Sequence, residues 1–288
     1  MANISIHLFD ITSEGKRDMA ALLGQIAKTT KLRRWRNVSG KEMALLESRH
    51  TSDSGLWLVD FVKRRQVGPG KLKADSELES FDFAHGEHFG EETAALIDVK
   101  RGWMATEYNQ HGVRPPSMVE YFNVYSPDDI GDWQIAAKLD PKVEQRLAKK
   151  TSLRAAQMTV KLTDEVTSAM RQGDVSLGGA LAKAGQEAKS AVMSINLTMS
   201  HSSGFLADNV MAMFRRLGAI DTGDVRQLKI RSRQGEFGED EAFDLLEQRI
   251  LVKYSSADLT VSGNRYTRDS RWRALLRLHA GWIQNLKK

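Results

Sequence analysis

The sequence predicts an α+β protein of two subdomains, with mixed or antiparallel sheets, helices packed on one face and a basic amphipathic helix at the C-terminus. Three observations predict it. Segments alternating at period two and segments with helical spacing follow one another in the order β-α-β-α-β-β-α. The charge balance shifts near residue 140, in a stretch from Asp128 to Asp140 that holds Gly131 and four aspartates just after Pro127. The chain of 288 residues, 41% of them apolar, is long enough to bury one large core or two smaller ones. The expected division is 1–135 and 136–288, and no internal repeat or low-complexity segment interrupts it.

The elements follow in order. Ile4, Ile6 and Leu8 share one face of a first strand. Thr12 or Ser13 can cap a helix in which Met19, Leu22, Leu23 and Ile26 recur at helical spacing. The basic cluster Lys31-Leu32-Arg33-Arg34-Trp35-Arg36 comes next. Strands are expected over Lys41–Arg49 and Leu56–Lys63, and a loop over Gln66–Ser80. Thr93–Val99 and Trp103–Asn109 flank Lys100-Arg101-Gly102, a hairpin signal in which glycine supplies the turn. Pro116 suits the first position of a helix over Met118–Phe122. In the second half, Ser152–Leu162 reads as a strand. Thr163–Lys189 is helix-prone but loosened by Gly173 and Gly178-Gly179. Ala191–Met199 alternates cleanly, and Leu206–Leu217 is a helix capped by Gly218. Val225–Arg233 and Leu245–Tyr254 are strands, and Asp269–Lys288 is the closing helix.

Composition excludes whole classes of function. With no cysteine there is no disulfide scaffold, cysteine nucleophile, iron–sulfur cluster or cysteine zinc site. The N-terminus shows strand alternation in place of a signal peptide, and no apolar run approaches the roughly 20 residues of a membrane span, so a soluble cytoplasmic protein is expected. The net charge of +5 comes from 42 Lys+Arg against 37 Asp+Glu, and it is unevenly placed. Residues 1–140 hold 18 basic and 21 acidic side chains, a net of −3, whereas residues 141–288 hold 24 and 16, a net of +8. Such asymmetry points to an anionic partner, nucleic acid or a membrane surface.

Two basic rows stand out. On the closing helix, Trp272, Leu275, Leu276, Leu278, His279, Trp282, Ile283 and Leu286 fall on one arc of roughly 160°, with Arg273 and Arg277 near the opposite side. Guanidiniums one turn apart match a phosphate backbone. On the strand Val225–Arg233, Lys229, Arg231 and Arg233 share a face and Arg226 is out of phase. An anionic ligand would relieve their repulsion, as would the nearby acids Glu236, Glu239, Asp240 and Glu241. Arg33, Arg34, Trp35 and Arg36 form a second patch, its indole placed for stacking on bases or for cation–π packing. Nothing resembles a reading helix with Asn or Gln aimed at adenine, so little sequence preference is expected.

No catalytic residue, metal site or cofactor is expected. His85-Gly86-Glu87-His88 lacks the zinc-protease spacing, Gly68-Pro69-Gly70-Lys71 lacks the Walker spacing, and no serine sits in a nucleophile elbow. One alternative is a Mg²⁺-dependent nuclease, in which Asp82 and Asp98 would hold the metal and Lys100 would aid the attacking water. His279, on an apolar helix face, is expected to be structural.

Taken together, the hairpin Ala95–Asn109, the helix Pro116–Phe122, the strand Ser152–Leu162, the strand Ala191–Ser200, two further strands and the basic closing helix form a recognisable order. The arrangement resembles the family of the soluble A component of the lambda-type Rex phage-exclusion system. The resemblance implies a cytoplasmic homodimer that binds DNA without strong sequence preference, senses infection and signals to a membrane-embedded partner. No small-molecule substrate is expected. The functional expectation is thus a non-enzymatic DNA-binding protein of phage defence, with an interaction component contacting an acidic partner or membrane protein as the other non-enzymatic alternative.

Overall fold

The computed structural model describes residues 3–13, 15, 17–51, 54–65, 68, 80–125, 132–149, 152–171, 177–187, 191–198, 208–220, 223–233, 239–263 and 265–286. In chain order the strands and helices are β1 (Asn3–Ser13), α1 (Met19–Lys28), β2 (Arg36–Val38), β3 (Lys41–Thr51), β4 (Leu56–Arg65), β5 (Phe89–Asp98), β6 (Trp103–Glu107), α2 (Pro115–Tyr125) and β7 (Trp133–Ala137). They continue with α3 (Pro141–Ala148), β8 (Ser152–Lys161), α4 (Asp164–Arg171), α5 (Leu177–Glu187), β9 (Val192–Thr198), α6 (Asp208–Leu217), β10 (Val225–Arg233) and β11 (Asp240–Asp244). The chain closes with β12 (Leu251–Ser255), β13 (Val261–Ser262), β14 (Arg265–Tyr266) and α7 (Arg268–Asn285).

β1 is apolar on both faces. Ile6 and Leu8 are buried on one side and Phe9 and Ile11 on the other, so the strand must lie inside a layered structure. It does: β1 is internal to an eight-stranded sheet of order β12-β1-β6-β5-β4-β3-β2, with β7 also on β1. β12 takes Asn3–His7 and β7 takes Phe9–Ser13, so two strands distant in sequence share the length of β1. The Lys100-Arg101-Gly102 turn joins β5 to β6. Gly102 sits at φ +65°, and a Cβ there would meet the Ile11 carbonyl at 2.9 Å. The first helix is capped by Asp18, which accepts from Ala20 and Ala21 amides, and not by Thr12 or Ser13, which lie within β1.

One face of this sheet packs on α1 and α2, whose Met19, Leu23, Ile26, Tyr121 and Phe122 join Phe9, Met43, Leu45, Val59 and Phe61. The other face carries Ile6, Leu8, Leu58, Ala94, Leu96 and Ala105 under Trp272, Leu275 and Trp282 of α7. A second, four-stranded sheet of order β11-β10-β8-β9 has its core on the side of α3–α6, around Val160, Met170, Phe214 and Leu228. Among the described residues no element packs on its opposite face. The fold is α+β, all pairings between named strands are antiparallel, and the C-terminal helix is present.

The packing corrects the expected division at residue 135. Residues 251–286 return to the first sheet, and the second sheet with its helices is inserted between β7 and β12. The physical reason is the apolar face around Leu58 and Leu96, which α7 covers with Trp272, Leu275 and Trp282, joined by Leu259. Three local expectations also change. The strand expected over Leu56–Lys63 runs on through Arg65, while of the expected loop Gln66–Ser80 only Gly68 and Ser80 are among the described residues. Gly178-Gly179 lies inside α5, where a Cβ on Gly178 would strike the Met170 carbonyl of α4. β11 was not foreseen. No helix is long and apolar enough to cross a membrane among the described residues.

Candidate nucleic-acid interface

β10 alternates inward Leu228, Ile230 and Ser232 with outward Lys229, Arg231 and Arg233. The last three project from the open face of the second sheet, which no described helix covers. Their neighbours across the sheet are uncharged on one side: Lys229 is opposite Gln157 and Arg231 opposite Ala155 on β8. On the other side stands β11. Arg233 bonds Asp240 at 2.7 Å, and Arg231–Asp240 and Lys229–Asp244 each stand at 4.0 Å. Among the described residues the acids that relieve the row are therefore Asp240 and Asp244; Glu236 lies outside them, and Glu241 pairs instead with Arg146 of α3. The Arg233 hydrogen bond holds the Asp240 carboxyl below its ordinary value. The side chains of Lys229 and Arg231 remain 52% exposed, and ion pairs so long and so wet contribute little. The rest of the face is hydroxyl and amide apart from Lys161: Thr159 bonds both Ser194 and Gln227, and Asn196, Thr198 and Lys161 are exposed beyond. No aromatic side chain stands on it among the described residues, so it offers no stacking platform for bases.

The closing helix presents Arg273 and Arg277 to solvent as expected. Arg273 donates to the Asp269 carbonyl and Arg277 to the Tyr254 hydroxyl, both at 3.3 Å, and among the described residues no carboxylate pairs with either. The third patch is largely dismantled. Arg34 is only 8% exposed and its guanidinium donates to the carbonyls of Ala27, Thr29 and Leu46, each at 2.8 Å, tying the end of α1 to β3. It is a structural residue, its guanidinium turned into the fold and away from solvent. Arg36 lies over the Tyr125 ring and caps the carbonyls of Arg33 and Trp35. Trp35 does make a cation–π contact, but with Arg64 of β4. Arg33 alone of the four is fully exposed. The nine predicted residues thus lie in three separate regions, and only Lys229, Arg231 and Arg233 form one row on one sheet face.

Asp98 is buried, and both of its oxygens are occupied. Oδ1 accepts the Arg101 amide at 3.1 Å, and Oδ2 accepts the Arg101 guanidinium at 2.8 Å and His279 Nε2 at 2.9 Å. Burial pushes this carboxyl up, but the bonds from Arg101 and His279 outweigh it and hold it below its ordinary value. The Asp98 carboxylate is thus spent on the fold, while Asp82 and Lys100 are exposed at opposite ends of β5, Asp82 in the loop before it and Lys100 in the turn after it. Among the described residues no three His, Asp or Glu side chains converge as metal ligands.

Two features escaped the sequence reading. The first is Arg226: a bulge between Val225 and Gln227 leaves two residues between inward Val225 and Leu228, so Arg226 is exposed as well. The second is a buried charge cluster beneath α7. Arg271, 6% exposed, bonds Glu107 at 2.7 Å, Glu92 at 2.8 Å and Asp60 at 2.9 Å. Arg268 reaches Asp60 at 3.2 Å, and Arg265 pairs with Glu92. Burial pushes the Asp60 carboxyl up to about 6; Arg271 pulls it back, and Glu92 and Glu107 add to the rise. Burial likewise raises Glu107. A signal for Arg271 was available, because on the helical wheel it falls within the apolar arc, 40° from Leu275 at 100° per residue.

An α+β protein of two large sheets, the second inserted and open-faced among the described residues, is the class that these features define. Residues 10–264 match DUF6731, a family of unknown function, and the chain belongs to that family. The match ends before α7. No curated protein matches the chain.

Proposed function

We propose that this protein binds nucleic acid without sequence preference through the open face of its second sheet. One observation carries the reading: a central strand presents Arg226, Lys229, Arg231 and Arg233 on a face that no described element covers, and among the described residues its nearby carboxylates line one edge. A backbone of phosphates would lie over β10, β8 and β9, away from β11. The hydroxyls and amides of β8 and β9 supply further donors to phosphate oxygens, a contact that positions without specifying. The role in phage exclusion, the cytoplasmic location and the membrane-embedded partner are part of this proposal, and they rest on the architectural resemblance alone.

The unpaired Arg273 and Arg277 favour a second reading, in which α7 meets an acidic partner protein. Anisotropy titrations with labelled duplex and single-stranded oligonucleotides, at about 50 and about 200 mM salt, separate the two. Lys229→Glu with Arg231→Glu should weaken binding to every duplex alike and lower the salt slope by about two phosphates. Arg273→Glu with Arg277→Glu should leave it near the wild-type value. No binding by the wild type at low salt refutes the proposal, and loss only in the α7 variant moves the interface to that helix.

A further inference from the structure

The second sheet ends on β9, and nothing among the described residues pairs with the outer edge of Met193–Leu197. A strand edge is a template for another strand, and proteins usually blunt it with charge, proline, a bulge or shortness. β9 has none of these. Its seven residues, Val-Met-Ser-Ile-Asn-Leu-Thr, include no charge and no proline, and its register with β8 runs unbroken from Lys161–Val192 to Ala155–Thr198. The other edges are protected. β11 carries Asp240, Glu241 and Asp244, β12 carries Lys253, β2 has three residues including Arg36, and β7 packs against α2 and α6.

We propose that β9 pairs with β9 of a second copy of this chain, joining two four-stranded sheets into one of eight strands about a two-fold axis at Ile195. The backbone phase permits it. The Leu162 amide donates to the Ala191 carbonyl at 3.1 Å. In an antiparallel ladder this turns the amides and carbonyls of Met193, Ile195 and Leu197 toward β8, and those of Ser194 and Asn196 outward. Antiparallel pairing centred on Ile195 then matches Ser194 with Asn196 of the other copy, and the outward groups bond one another. The side chains agree on both faces. Met193 meets Leu197 and Ile195 meets Ile195 on the helix side, where all three are only half-buried in the single chain. Ser194 meets Asn196 and Val192 meets Thr198 on the open side. The absence of charge removes the like-charge repulsion that a self-pairing strand would otherwise meet.

The axis stands perpendicular to the sheet, so both open faces look the same way. Five strand spacings would set the two β10 rows about 24 Å apart. This pairing stands whether or not the open face binds a polyanion.

Sedimentation velocity of the full chain tests it. The wild type is expected at twice the 32.3 kDa chain mass. Ser194 and Asn196 are exposed, so charge there is compatible with the single-chain fold. Ser194→Lys with Asn196→Lys sets lysine against lysine across the axis and should raise the dissociation constant at least about tenfold. Ser194→Lys with Asn196→Glu sets lysine against glutamate twice and should restore the dimer. Circular dichroism spectra identical to wild type show that both variants fold. A monomeric wild type, an all-lysine variant that still dimerises, or a Lys/Glu variant that stays monomeric each overturns the proposal.

Discussion

Arg271→Met keeps the alkyl stem that packs under α7 and removes the charge that three carboxylates share. Asp60 and Glu107 are 2% and 8% exposed, so both lose their principal counter-charge in a place that water does not reach. One Asp60 oxygen already has no hydrogen-bond partner among the described residues. Glu92 is partly exposed and keeps Arg265, so it adds little to the loss. Removing one partner from a buried ion pair costs about 3–5 kcal/mol, and that is the deficit expected at pH 7.5. The pH dependence is the sharper test. In the wild type the folded Asp60 carboxyl, at about 6, lies above its ordinary 3.8. The folded state therefore holds that proton more tightly, and this group's contribution to stability falls as pH rises through that window. Without Arg271 the carboxyls of Asp60 and Glu107 rise further, and Asp60, already at about 6 in the wild type, is protonated at pH 5. The variant's deficit should then shrink to the lost hydrogen bonds, about 1–2 kcal/mol. Urea unfolding followed by tryptophan fluorescence at both pH values measures this, with Trp272 next to the change. A deficit below about 1 kcal/mol at pH 7.5, or an equal deficit at pH 5, would refute the reasoning.

Two other changes separate folding from binding. Arg34→Ala strips three carbonyls of their donor and should cost about 3 kcal/mol in urea unfolding, while the salt slope for duplex binding stays at the wild-type value. His279→Ala leaves Asp98 with Arg101 alone and should cost about 2–3 kcal/mol at neutral pH, and His279→Gln, which keeps one donor, should cost less. Because the folded Asp98 carboxyl lies below its ordinary value, its stabilising contribution is complete above about 3.8 and is lost as pH falls through the folded value. Thermal melts from pH 7 down to pH 3 should therefore show the His279→Ala and wild-type curves converging at the acid end.

Strong periodicity carried most of the fold into view. Ile4, Ile6 and Leu8 mark β1, the Lys100-Arg101-Gly102 turn marks the β5–β6 hairpin, and the apolar arc of α7 marks its buried side. β11 stayed hidden because Asp240-Glu241-Ala242-Phe243-Asp244 has one inward apolar residue, Phe243, too few for an alternation to register. Arg226 was misplaced because strict period-two counting does not anticipate a bulge. Arg34 was read as surface because arginine clusters usually are solvated, and nothing local indicates that Ala27, Thr29 and Leu46 would converge on its guanidinium.

The charge asymmetry and the amphipathic closing helix follow from the order of residues alone, since side-chain chemistry and helical or strand geometry are local. Where those charges go is a tertiary matter. Seven basic residues near the C-terminus look alike in sequence, yet Arg271 is buried against three acids from β4, β5 and β6, Arg268 and Arg265 flank it, and Arg273 and Arg277 face water. Lys229, Arg231 and Arg233 acquired carboxylate neighbours from a strand that the sequence concealed. A guanidinium's pairing depends on which distant carboxylates the sheet registers bring within about 4 Å, and no local pattern encodes that distance.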